Sequence, residues 1–164
     1  METILNEFLK IDGENRKAVF HDITIDFPEG YTCMGRRDDV NHIAFGKYPN
    51  TIGVLWLTPV IVEDVQEAIF IFEEWVKGSP KAIEMDINGY RAWFSTEDVL
   101  RNEQDQFFWP DYTGDMVVYN YLIQISNANL MFNYRIPALF EDNEMFDQEH
   151  ESKMMIIQSA TQYI

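Results

Sequence analysis

The sequence predicts an α+β fold over residues 1–164 as a single domain, an antiparallel β-sheet with helices packed on it. Three observations lead there. In Met116–Pro137, Val117, Tyr119, Tyr121, Ile123 and Ile125 fall on one face, with Asn120, Gln124 and Ser126 on the other. After Asn127-Ala128-Asn129 the alternation resumes, with Leu130, Phe132, Tyr134 and Ile136 against Asn133 and Arg135. Strand side chains alternate faces, so this is a long hairpin with one face to bury. Asn88-Gly89, set between residues 82–87 and 90–95, marks a second hairpin. Finally, Val62, Val65, Ile69, Phe72 and Val76 form a helical stripe able to cover a sheet.

The remaining elements follow in order. Ile4, Leu5, Phe8, Leu9 and Ile11 have the spacing of a short amphipathic helix, ended by Asp12-Gly13. Val19, His21, Ile23, Ile25 and Phe27 alternate as one strand, closed by the turn Pro28-Glu29-Gly30. Residues 31–36, 42–47 and 52–57 read as three shorter strands. The central helix carries Glu63 and Asp64 at its positive end and stops at Gly78, although Thr58-Pro59 also offers a start. Residues 97–115 show no clean period and read as a long loop with room for one helical turn. Phe146, Met154, Ile157, Thr161 and Ile164 indicate a terminal helix over about 147–162.

Apolar residues make up 46% and aromatic residues 15%, enough for a folded core. No basic start with a long apolar run reads as a signal peptide, and no stretch reads as a membrane span. The lone Cys33 has no internal disulfide partner, which fits the cytoplasm. The net charge of −16 repels nucleic acid and anionic membrane and attracts basic proteins.

Several segments together carry a resemblance: TIDFPEGY (24–31), GVLWL (53–57) before a helix, INGYRAWF (87–94), and the long hairpin before a terminal helix. In these the chain resembles the PsbP-like fold. That resemblance implies an antiparallel sheet between helices and a non-enzymatic binding role, and it carries over no catalytic residue. Phosphate-binding glycine loops, nucleophile elbows and zinc helices are missing, and His150-Glu151 is followed by Ser152-Lys153-Met154. Cys33 with His21 or His42 reads as incidental rather than nucleophilic, and three scattered histidines do not make a zinc site. Asp105, Asp111 and Asp115 lack the spacing of a calcium loop. No enzyme, metal or cofactor is expected.

The remaining signal is the clustering of acids. Glu97, Asp98, Glu103, Asp105, Asp111 and Asp115 precede the long hairpin, and Glu141, Asp142, Glu144, Asp147, Glu149 and Glu151 follow it. Together they are twelve of the 28 acidic residues. The first cluster also holds Phe107, Phe108, Trp109 and Tyr112. These aromatics either fold inward to cap the sheet or stand as interface anchors ringed by charge. By character the chain resembles a bacterial immunity protein of the contact-dependent inhibition or type VI secretion kind. On that reading Glu97, Asp98, Glu103, Asp105, Trp109, Asp111, Tyr112, Asp115, Glu141, Asp142 and Glu144 meet a basic toxin domain, most simply a nuclease. An assembly or adaptor subunit of the PsbP-like sort is the alternative.

Overall fold

The computed structural model describes residues 10–11, 17–20, 22–28, 31–37, 42–46 and 52–162. His21, the Cys33 side chain, Ile164 and most of the expected 4–11 helix lie outside the described residues. Lys10 and Ile11, its last two positions, form a strand instead.

Two antiparallel sheets share one core. The smaller runs in the order β1 (Lys10–Ile11), β2 (Lys17–Phe20), β3 (Ile23–Asp26) and β11 (Thr161–Gln162). The single strand expected over 19–27 is therefore a hairpin, because Phe20 pairs with Ile23 across a two-residue turn. A two-residue turn shifts the alternation by one position, so Val19 pairs with Thr24 and Ala18 with Ile25, and the odd-numbered pattern read as one strand does not carry through the turn.

The larger sheet has seven strands. They are β4 (Thr32–Arg37), β5 (His42–Gly46), β6 (Val54–Ile61), β7 (Ile83–Ile87), β8 (Tyr90–Val99), β9 (Met116–Ile125) and β10 (Ala128–Pro137). Their spatial order is β4-β5-β6-β10-β9-β8-β7, with the long hairpin at the centre. Its turn is Ser126-Asn127, so Ala128 and Asn129 belong to β10. Ser126 takes φ 54°, and Asn127 anchors the turn by donating from Nδ2 to the Val62 carbonyl at 2.6 Å. The β7–β8 turn uses Asn88 at φ 55° and Gly89 at φ 84°, the left-handed pair such a hairpin needs. Thr58-Pro59 starts no helix: β6 runs through it, and Pro59 lies beyond the β5 pairing, where a missing N–H is tolerated.

Helix α1 (Val65–Lys77) begins at Asp64, whose carboxylate accepts from Glu67 N at 2.8 Å, and ends at Gly78. It buries Ala68 and Phe72, and Phe72 packs against Trp93 and Leu122. Burying a side chain like Phe72 contributes about 1.5–3 kcal/mol. The loop expected over 97–115 is more ordered than its composition suggests. β8 extends to Val99, and a short helix α2 (Glu103–Phe108) follows. A 3-10 turn (Ala138–Asp142) leads from β10 into α3 (Glu144–Ser159). Tyr121, Ile123, Phe132, Tyr134 and Ile136 on the sheet form the main core with Ile156 and Ile157 of α3 and Ile23, Ile25 and Phe27 of the small sheet. No helix among the described residues is long and apolar enough to cross a membrane.

Candidate functional site

The central hairpin brings its two flanks together. Met116 pairs with Pro137, and just outside them Ala138 N donates to the Asp115 carbonyl at 3.0 Å. The Tyr112 hydroxyl donates to the same carbonyl at 2.6 Å, and its ring lies 6.2 Å from that of Phe140. Residues 97–115 and 138–144 therefore meet at one end of the sheet. Glu97, Asp98, Glu103, Asp111, Asp115, Asp142 and Glu144 are exposed there. So are three large apolar side chains, Leu100 at 81%, Phe107 at 75% and Leu139 at 71%.

Other residues expected at this interface turn inward. Asp105 is 1% exposed and receives Arg135 in a two-pronged ion pair, Nε at 2.6 Å and Nη2 at 2.8 Å. It also closes a reciprocal cap on α2, accepting from Asn102 N while Asn102 Oδ1 accepts from Asp105 N. A partner cannot reach this carboxylate, because the sheet's own arginine consumes it. Trp109 donates from its indole to the Ile52 carbonyl at 3.0 Å, and with Phe108 it packs on Ala44, Val54 and Trp56. Tyr112 and Glu141 are half-buried, Glu141 accepting from the Tyr119 hydroxyl. Of the aromatic group, Phe107 alone stays outside.

A second feature lies on the face of the sheet away from α3. Three cross-strand rows compose it. Trp93, Leu122 and Met131 stand in register and lie beneath α1; Glu97, Val118, Arg135 and Val54 stand in register beside α2. Between them runs the row Ser95, Asn120 and Asn133. Asn133 Nδ2 donates to Asn120 Oδ1 at 2.5 Å, and Asn120 Nδ2 faces Ser95 Oγ at 3.3 Å and Glu97 Oε1 at 3.2 Å. No helix among the described residues covers this row. It floors a groove with one lobe of about 470 Å³, walled by Glu74, Trp75, Gly78 and Ser79 where α1 ends. The second lobe, about 190 Å³, continues past the same asparagines and Glu97 toward His42, Gln104 and Arg135. A pocket of this size falls in the ~300–1,000 Å³ range of ligand sites. The polar alternation of the hairpin already contained Asn120 and Asn133, but a polar strand face reads as plain solvent exposure until the flanking helices are placed.

The opposite face holds two buried charges that no sequence signal marked. Lys153 is 1% exposed, its ammonium over the rings of Tyr119, Tyr134 and Tyr121 at 4.6, 4.8 and 5.2 Å from their centroids. Among the described residues its Nζ has no hydrogen-bond partner, and burial pushes its pKa down to about 7. One turn earlier, Glu149 accepts from Ile52 N at 2.5 Å, Gly53 N at 3.0 Å and the Tyr134 hydroxyl at 2.7 Å. Burial, then the Glu149 charge, raises the Tyr134 pKa, and the same two causes push Tyr31 up to about 12. Among the described residues no group of three or more His, Cys, Asp and Glu is placed to hold a metal ion.

No protein-family model and no curated protein sequence matches the chain. Similar architectures occur among solved structures. A crystal structure from Bacteroides thetaiotaomicron VPI-5482 is similar over 100% of this chain, with a TM-score of 0.64 and 9% identity. This chain spans 50% of that one. The solution structure of cyanobacterial PsbP (CyanoP) from Synechocystis sp. PCC 6803 covers 95% of this chain and 93% of its own, with a TM-score of 0.52 and 9% identity. The Ran-binding protein Mog1p of Saccharomyces cerevisiae is more loosely similar, with a TM-score of 0.44 and 11% identity over 85% of this chain and 89% of its own. The fold is the PsbP-like α+β architecture that the turn and strand segments resembled.

Proposed function

We propose that this protein binds and neutralises a basic protein partner, in the manner of an immunity protein acting on a toxin domain in the cytoplasm. The observation supporting this most directly is the exposed Leu100, Phe107 and Leu139 at the same end of the sheet as seven exposed carboxylates. Apolar anchors contribute affinity where water is excluded, and a ring of one charge steers and selects the partner. A nuclease is the best match for the partner, because its cationic phosphate-binding surface is complementary to a chain of net charge −16.

The test is capture of basic toxin nuclease domains on the immobilised chain at low and moderate salt, followed by a nuclease assay of the complex. A near-stoichiometric, salt-weakened complex with lost nuclease activity supports the reading. Binding that leaves the nuclease active, or no binding at any salt, overturns it. The second reading, an assembly subunit, is favoured by the fold shared with CyanoP. It calls for a complex insensitive to salt and without inhibition.

A further inference from the structure

We infer that the groove between α1 and α2 receives an arginine side chain presented by the basic partner. This deepens the proposed function, on which it rests for the source of the arginine, and assigns a site that adjoins the acidic end of the sheet at Glu97.

The groove is polar where a sheet face is normally covered. Ser95, Asn120 and Asn133 stand side by side on three adjacent strands, between the apolar row Trp93, Leu122 and Met131 and the mixed row Glu97, Val118, Arg135 and Val54. Asn120 is 7% exposed, and the linked amides are held against one another and against Glu97. Each amide carries more donor and acceptor capacity than those internal bonds use. Glu97 lines both lobes, and Glu74 stands on the α1 wall with Trp75. Lys77, which bonds Glu74 at 3.4 Å, is 75% exposed, so its hold is weak and readily displaced.

Two exposed carboxylates, amide oxygens and an indole wall match one chemistry best. A guanidinium is planar, always charged and offers five N–H donors; it stacks on aromatic rings and bonds carboxylates in pairs. An ammonium lacks the plane and the fork. An anion would meet Glu74 and Glu97. A lobe of about 470 Å³ is larger than one side chain, leaving room for the backbone that carries it. The occupant is therefore an arginine within a chain, not the free amino acid.

The probe is a blocked Gly-Arg-Gly peptide, followed by amide NMR of the Asn120 and Asn133 side chains and the Trp75 indole. The lysine and citrulline forms and free arginine are compared. The inference expects the arginine peptide to shift those signals, lysine to bind more weakly and citrulline not at all. Glu97→Gln should weaken binding about tenfold through loss of a charge-assisted bond. Ser79→Lys, which places a competing cation on the half-buried α1 wall, should weaken it too, and thermal unfolding of both variants alongside the wild type checks that the fold is kept. Absent shifts, or equal binding by both variants, would overturn the inference. Free arginine binding as well as the peptide would overturn the partner as its source. Shifts confined to Leu100 and Phe107 would sink the groove while leaving the basic-partner reading intact. Conversely, an occupied groove combined with nuclease activity untouched by the chain would remove the proposed function and keep the site.

Discussion

The ammonium of Lys153 lies 4.6 Å from the centroid of the Tyr119 ring, and Tyr121 and Tyr134 complete a cage around it with no hydrogen bond to the nitrogen from the described residues. The rings stabilise the cation, but burial without a hydrogen-bond partner costs more, so the pKa falls from the ordinary 10.5 to about 7. Below pH about 7 folded and unfolded chains both hold the proton, and the full cost of the buried charge is felt. Between there and 10.5 the unfolded chain binds a proton that the folded one has released, so stability rises with pH, by up to about 1.4 kcal/mol per unit. Lys153→Met should therefore stabilise the protein near neutral pH, by about 1–4 kcal/mol, and flatten this rise. Urea unfolding between about pH 7 and about pH 9.5 measures it, below the range where the raised tyrosine pKa values reverse the trend. His150, lowered by burial and by Lys153, adds its own rise only below its ordinary 6.5. A variant with the wild-type slope would mean that the rings keep the proton on.

Lys153 also shows where sequence reading stops. The expected stripe on the last helix used Phe146, Met154 and Ile157, and α3 does bury Ile156 and Ile157. Yet Glu149 and Lys153, which share that buried face, are residues that any hydropathy pattern assigns to water. Three tyrosines on β9 and β10, and backbone amides at Ile52 and Gly53, help to make their burial tolerable. Those partners are distant in sequence and invisible to a local pattern. The β7–β8 and β9–β10 hairpins and α1, by contrast, were legible because period 2, Asn88-Gly89 and a helical stripe are local signals, whereas the β2–β3 hairpin was read as one strand. At the candidate site the acidic clusters were legible, and their meeting followed from the hairpin's geometry. The inward turn of Asp105 and Trp109 was not, since it depends on Arg135 and on the Ile52 carbonyl.

Arg135 and Asp105 form the pair that fixes α2 to the sheet. Arg135→Ala should cost about 3–5 kcal/mol, because it leaves a 1% exposed carboxylate without its cation. Asp105→Asn keeps the cap's acceptor oxygen and should cost less. Since α2 carries Phe107, the alanine variant should also raise protease sensitivity near residues 102–109. Equal denaturation midpoints for wild type and Arg135→Ala would show that the pair contributes nothing net.

Glu149 joins α3 to the start of β6. Glu149→Ala leaves the Ile52 and Gly53 amides and the Tyr134 hydroxyl short of an acceptor, each worth about 1–3 kcal/mol when buried. Gly53→Ala tests the same junction from the other side. A β-carbon there would stand 2.4 Å from the Tyr134 ring, and that ring is itself part of the Lys153 cage. Both variants should lower the melting temperature, and Gly53→Ala should also perturb tyrosine near-ultraviolet circular dichroism. A silent Gly53→Ala would require Tyr134 to move without cost.

Binding at the acidic end should divide into two components that separate under salt. Phe107 is 75% exposed at the end of α2 and meets Phe108 edge to face at 5.1 Å, so Phe107→Ala should cost the fold no more than about 1 kcal/mol. An exposed aromatic that serves as an anchor costs a complex about 2 kcal/mol or more on truncation, and most of that loss appears as faster dissociation. Reversing Asp111 and Asp115 to lysine should act instead on the association rate, because rim charges steer encounter. That effect should shrink as the ionic strength approaches about 0.15 M and the screening length falls to about 8 Å. Stopped-flow association and surface-based dissociation with the same basic nuclease separate the two. Phe107→Ala changing neither rate would remove α2 from the interface, and charge reversal without a salt-dependent rate change would remove the steering.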